Sequence, residues 1–253
     1  MKQDRVFGLD VIRAVAVLLV LLSHTCVFVC SGKVYQVIFL YAGFLGVELF
    51  FVLSGFLIGT ILIGLHSAGS LQTTRHLMDF WIRRWFRTLP NYYLILVIWL
   101  VLHYAIYDQF VFSQLRYLSD LVFSQNLINE HPGFFAVAWS LSIEEWFYLL
   151  FPIALLLSQK WLTIGSSRSV ILSIVVFMVA CSVARLVVAI YGSVHWDQLV
   201  RKCVPLRLDS IVVGVLAAWV KRYHSALWTR GARTGLVLGV VICAGWSPLL
   251  CQA

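Results

Sequence analysis

Charge is what this chain most lacks. Only 12% of its 253 residues are Asp, Glu, Lys or Arg, whereas 61% are hydrophobic. A soluble domain carries about 25% charged and about 45–50% apolar residues. The shortage excludes a large soluble domain between the apolar segments. Acidic residues are scarcer than basic ones, 11 against 19, for a net charge of +8. This excess does not indicate nucleic acid. The basic residues flank apolar runs, where they favour anionic lipid or a cytoplasmic anionic ligand. The six cysteines lie mostly in or beside apolar runs. Cys26 and Cys30 share a helix face but have no His/Cys partners at zinc spacing, so neither a disulfide framework nor a metal site is expected. No internal repeat, low-complexity tract or linker marks a second domain, so residues 1–253 read as one transmembrane domain.

What is present is a series of long apolar runs, which read as an all-α, polytopic transmembrane bundle of about seven spans. The spans are expected near Val11–Cys30, Val37–Leu65, Leu89–Tyr107, Phe134–Leu157, Val170–Ala189, Leu206–Val220 and Thr234–Leu250. The first follows Lys2 and Arg5 as a signal peptide would. It is long, contains Arg13 and lacks a small-residue cleavage site, so a retained span is expected. His66 to Arg87 reads as an amphipathic interfacial helix, with Pro90 opening the third span. Leu115 to Leu127 is too interrupted to span and reads as interfacial or re-entrant. With the N-terminus inside, twelve of the 19 Lys and Arg fall on the cytoplasmic side and four outside. That bias predicts a cytoplasmic N-terminus in a multi-pass inner membrane protein.

Against this background a few polar residues stand out. Arg13 and His24 are eleven residues apart in the first span. Eleven residues make about three helical turns, which puts both side chains on one face, roughly 16 Å apart. Ionisable groups in hydrocarbon are costly, and two on one face suggest an interior polar path. The plainer alternative is a snorkelling arginine and a packed histidine. Arg83, Arg84 and Arg87 are interleaved with aromatics. They are either a positive-inside signal or an anion site, since guanidinium forks fit phosphate oxygens. Glu144 and Glu145 are adjacent carboxylates near the start of a span. They differ by about 100° in direction, so one can face the bundle while the other reaches its rim. Ser54 and Gly55, with Gly59, permit close helix packing.

These pieces, in this order, resemble the membrane acyltransferase 3 family. The resemblance runs from Phe7 to about Trp219. It rests on Arg13 and His24 as an arginine, ten residues and a histidine, and on Phe50 to Ile58 as the F-F-x-L-S-G-F-L-I block. Arg83 to Pro90 matches the arginine-rich block. Trp139 to Pro152 matches W-S-L-x-x-E-x-x-F-Y-L-x-x-P, with Glu144 at its glutamate. Arg207, Gly214 and Ala218 match the later R-x6-G-x3-A span. Each block alone is weak; five in order are specific.

The resemblance implies transfer of an acyl group, usually acetyl, from cytoplasmic acyl-CoA to a hydroxyl of an envelope or secreted glycan or lipid-linked sugar. Lipopolysaccharide and peptidoglycan are among the family's acceptors. No bound cofactor is expected; acyl-CoA is the donor substrate. Arg13, Arg83, Arg84 and Arg87 are then donor-binding residues. His24 is a general base, with an acyl-histidine as a variant, and Glu144 or Glu145 orients the ring or stabilises its charged form. Family members usually have about ten spans, so seven make this a shortened member or a fragment. Two other functional classes fit the same residues: a proton-coupled secondary transporter using buried His and Glu, and an inactive remnant. Labelled acetyl transfer separates the first reading from both.

Overall fold

The computed structural model describes residues 7–29, 33–69, 74–107, 115–128, 135–162, 165–191 and 199–231, with a few isolated positions besides. The fold is all-helical. Among the described residues six long helices follow in order: α1 Phe7–Val29, α2 Lys33–Ser67, α3 Thr74–Tyr107, α4 Trp139–Leu162, α5 Ser166–Tyr191 and α6 Val204–Tyr223. Among the described residues, α1 to α5 are long and apolar enough to cross a bilayer. The α6 helix covers the expected sixth span but is less apolar, with Arg207 and Asp209 early in it and Lys221 and Arg222 in its last turn. Most of the expected seventh span, Thr234–Leu250, lies outside the described residues.

One boundary differs in kind from its expectation. The interfacial helix and the third span are a single helix, α3, of 34 residues, with Pro90 inside it and not at its start. A proline in a helix removes one i→i−4 hydrogen bond. Membrane helices tolerate this because neighbouring groups satisfy the freed carbonyl. At 1.5 Å per residue α3 is about 50 Å long. Its basic first half therefore extends beyond a hydrocarbon core of about 30 Å.

The chain divides into two compact units, Met1–Thr60 with Val213–Ala253, and Ile61–Val212; the divisions fall inside α2 and α6. In the first unit, α1 lies on α2 through small residues. A Cβ at Gly46 would meet the Ala16 carbonyl and Val20, each at 2.8 Å, and one at Gly43 would collide with Ser23. The α2 and α6 helices approach still more closely. A Cβ at Gly214 would overlap the Val52 carbonyl and lie 2.9 Å from the Gly55 carbonyl carbon; one at Gly59 would lie 3.0 Å from Val215 Cα. Gly55 and Gly59 thus meet Gly214 and its neighbours in the small-residue contact that lets membrane helices pack backbone to backbone.

In the second unit, Phe147, Phe151 and Phe177 form an aromatic core between α4 and α5, with centroids 5.0–6.0 Å apart. His66 is buried; its Nε2 is 3.0 Å from Ser169 Oγ, which in turn lies 2.8 Å from Ser158 Oγ. Arg185 of α5 donates to Asp209 of α6 at 2.6 Å and to the Leu206 carbonyl at 2.9 Å.

Residues 115–128 do not span. They form a 3-10 helix, Leu115–Val122, followed by turns that dock on α3 and α4. Tyr92 donates to the Asp120 carbonyl at 2.7 Å, and its ring packs on Phe123 at 4.5 Å. Phe123 has φ +57°, a left-handed conformation that a bulky residue rarely adopts. Its carbonyl accepts from both Ser142 Oγ and, at 2.9 Å, Trp146 Nε1. Those two bonds, with the ring contact, hold the strained residue in place.

Candidate active site

In the first unit, the two polar residues of α1 are satisfied by their own helix. Arg13 Nη1 lies 3.2 Å from Asp10 Oδ1, one turn earlier, with both side chains partly exposed. His24 Nδ1 lies 2.8 Å from the Val20 carbonyl. A carbonyl only accepts, so the hydrogen is on Nδ1. In the neutral ring this leaves Nε2 with its lone pair, the form a general base requires. The His24 side chain is exposed. The α2 block supplies the Gly55 contact with Gly214 described above; Ser54 beside it is half-buried.

In the second unit, the arginine block meets the glutamate block, and one proline explains how. Pro152 lies inside α4 and has no N–H. The carbonyl four residues earlier, that of Tyr148, thereby loses its helical donor. Trp81 of α3 replaces it, donating Nε1–H to the Tyr148 carbonyl at 2.9 Å. Three residues on, Arg84 Nη2 donates to the Tyr148 hydroxyl at 2.7 Å, and its guanidinium carbon lies 4.4 Å from the ring centroid. The hydroxyl in turn donates to Glu144 Oε2 at 2.9 Å. Glu144 and Tyr148 are i and i+4, neighbours on one helix face.

Glu145 points elsewhere. It is 6% exposed, and neither of its oxygens completes a hydrogen bond of ordinary geometry among the described residues. Arg84, Trp85 and Thr88 of α3 are the polar groups facing it. Trp81, Arg84, Trp85 and Thr88 follow the i, i+3, i+4, i+7 pattern of one helical face. Arg83 and Arg87 lie off that face and are exposed. The block therefore separates into one inward arginine and two outward ones.

The start of α4 is held from a second side. Asn126 donates to the Trp139 carbonyl at 3.0 Å and to the Lys202 carbonyl at 2.5 Å, and accepts from the Val204 amide at 2.9 Å. The Arg201 guanidinium lies 5.0 Å from the Trp139 ring centroid. Asp120 is 1% exposed, and neither carboxylate oxygen has a hydrogen-bond partner among the described residues. Burial pushes its carboxyl up to about 6. Sequence reasoning singled out neither Tyr148, Trp81, Asp120 nor Asn126. For Tyr148 a signal was present: it sits four residues after Glu144 and four before Pro152.

Residues 6–252 match the family model described as an acyltransferase domain. This chain belongs to the acyltransferase 3 family. Its relatives include a Bacillus subtilis protein named as a candidate peptidoglycan O-acetyltransferase, YrhL. It is 34% identical over 189 residues, 69% of this chain and 27% of the relative. The peptidoglycan O-acetyltransferase OatA of Listeria monocytogenes is 32% identical over 167 residues, 61% of this chain and 25% of the relative. The O-acetyltransferase OatA of Staphylococcus aureus is 33% identical over 162 residues, 58% of this chain and 24% of the relative. The chain thus spans about a quarter of the length of these relatives. No solved structure matches it.

Proposed function

We propose that this acyltransferase moves an acetyl group from acetyl-CoA to a sugar hydroxyl of an envelope glycan. Peptidoglycan is the preferred acceptor, because two of the relatives above are named for it. The observation that carries the reading is the His24 tautomer. With Nδ1–H held by the Val20 carbonyl, Nε2 accepts the acceptor hydroxyl's proton as that oxygen attacks the thioester carbonyl. The tetrahedral intermediate collapses, the C–S bond breaks, and the imidazolium returns the proton to the CoA sulfur. The products are the acetyl ester and free CoA. Lipopolysaccharide carries chemically similar hydroxyls and is the alternative acceptor.

The donor is rich in phosphate. The exposed Arg83 and Arg87 are the members of the block open to it, and guanidinium forks suit phosphate oxygens. Arg13 serves the donor from the start of α1. Glu144 is the preferred carboxylate of the reaction, and Glu145 the alternative. The cytoplasmic membrane with the N-terminus inside is the setting that gives these arginines access to CoA.

Membranes containing the chain should transfer label from acetyl-labelled acetyl-CoA to a glycan hydroxyl, and the label should leave as acetate under mild base. Proton-coupled uptake of a solute without acetyl transfer would sink the reading. Cysteine labelling at position 75 from the outside of intact cells would reverse the orientation.

A further inference from the structure

Arg84 belongs by sequence with the donor-binding arginines, yet its guanidinium is spent on a tyrosine of the next helix. We infer that Tyr148 is a positioning residue that fixes Glu144, and that Arg84 acts through this tyrosine and not as a ligand of the donor's phosphates. The inference rests on the acetyl-transfer reading above and deepens it.

Four contacts point the same way. The Tyr148 hydroxyl accepts from Arg84 Nη2 at 2.7 Å and donates to Glu144 Oε2 at 2.9 Å. The same guanidinium lies over the ring, 4.4 Å from its centroid, which adds a cation–π contact to the hydrogen bond. The backbone of Tyr148 is pinned as well, because Trp81 takes the carbonyl that Pro152 leaves without a helical donor. The side chain is 2% exposed, so the surrounding packing holds the ring while its hydroxyl links the two charged groups. A donor aimed at a phenol oxygen and committed to stacking on its ring has little of its fork left for phosphate. A carboxylate accepting from a phenol whose own oxygen is polarised by a cation gains a stronger hydrogen bond. Its orientation is thereby set before substrate arrives.

This assignment also separates the two glutamates. Glu144 is oriented through Tyr148. Glu145, about 100° further round α4, is not part of the Arg84–Tyr148–Glu144 chain of hydrogen bonds.

Tyr148→Phe keeps the ring and removes the hydroxyl. In reconstituted full-length chain it should lower kcat about 10- to 100-fold, the usual range for a lost hydrogen bond to a charged group, with the KM for acetyl-CoA unchanged. Arg84→Gln should do the same, and the double variant should be no slower than the slower single one. A raised acetyl-CoA KM in Arg84→Gln with kcat unchanged would make Arg84 a donor ligand and overturn the inference. So would wild-type kcat in Tyr148→Phe, or a double variant whose loss is the product of the two single losses. If the wild-type chain itself transfers no acetyl group, the functional reading fails, and the wiring is then judged without turnover. With 3-fluorotyrosine placed at position 148, the fluorine resonance should move on Glu144→Gln and again on Arg84→Gln. A resonance that ignores either substitution overturns the inference independently of activity.

Discussion

The α1 and α4 helices both carry ionisable residues in an apolar segment, and they satisfy them in opposite ways. In α1, Arg13 turns to Asp10, His24 to the Val20 carbonyl, and Thr25 to the Leu21 and Leu22 carbonyls, all within one turn of the same helix. In α4, Tyr148 is held by two residues of α3, while Ser142 and Trp146 reach the Phe123 carbonyl. A group satisfied by its own helix depends on no other element for its geometry. A group satisfied across helices carries part of the fold. Substitutions in α1 should therefore change chemistry at nearly constant stability, and substitutions in α4 should change both.

The largest expected effect tests the first half of that contrast. His24→Ala should lower acetyl transfer about 10²- to 10⁴-fold, the range for a general base, with the protein inserted and unfolding as the wild type does. Transfer at the wild-type rate would return His24 to a packing role. The adjacent glutamates test the second half. Glu144→Gln should depress turnover more than Glu145→Gln at equal membrane abundance. Glu145→Gln should also raise the unfolding midpoint, because it replaces a deeply buried ionisable carboxyl by a neutral amide that still faces Trp85 and Thr88. The opposite ranking in turnover would move the catalytic assignment to Glu145.

A smaller effect is expected from pH at the segment that buttresses α4. The Asp120 carboxyl is raised from 3.8 to about 6 by burial. A raised carboxyl favours the protonated fold. Its stabilisation is complete below pH about 4 and is lost as pH rises through about 6. Wild-type protein should thus be less stable at pH 8 than at pH 5, by about 1–2 kcal/mol from this group, since part of the loss is already present at pH 5. Asp120→Asn should flatten the difference, as read by unfolding midpoints at the two pH values. The smallest effect belongs to α1 again. Asp10→Asn removes a partly exposed ion pair, and such pairs contribute only about 0.2–1 kcal/mol.

Hydropathy made the helices readable one by one, since a run of about twenty apolar residues has few other uses. It misread Pro90 as a beginning because a soluble helix would start there. The basic segment already reads as a helix of its own; what went unread was that it runs through Pro90 without a break. The helical periodicity of Trp81, Arg84, Trp85 and Thr88 distinguishes Arg84 from Arg83 and Arg87, although as a cluster of charge the three look alike. Ordered blocks made Arg13, His24 and Glu144 visible. They left Tyr148 unread, because the pairing of a phenol with an arginine 64 residues earlier is a product of helix packing and has no local pattern. Asn126 and Asp120 were hidden for a related reason: they lie in a segment with no regular period, where Asn126 bonds to the distant backbone of Trp139, Lys202 and Val204, and the Asp120 side chain is buried by packing alone.

Phe123 also bears on the order in which the chain is built. Its strained backbone is held by donors from Ser142 and Trp146, and these are translated 19 and 23 residues later. While a ribosome delivers the protein to the membrane, α3 is complete well before either donor exists. The turn after Val122 therefore cannot settle as its own residues emerge. It must wait for the first two turns of α4, and the stretch that carries Glu144 and Glu145 closes the structure of the segment that precedes it.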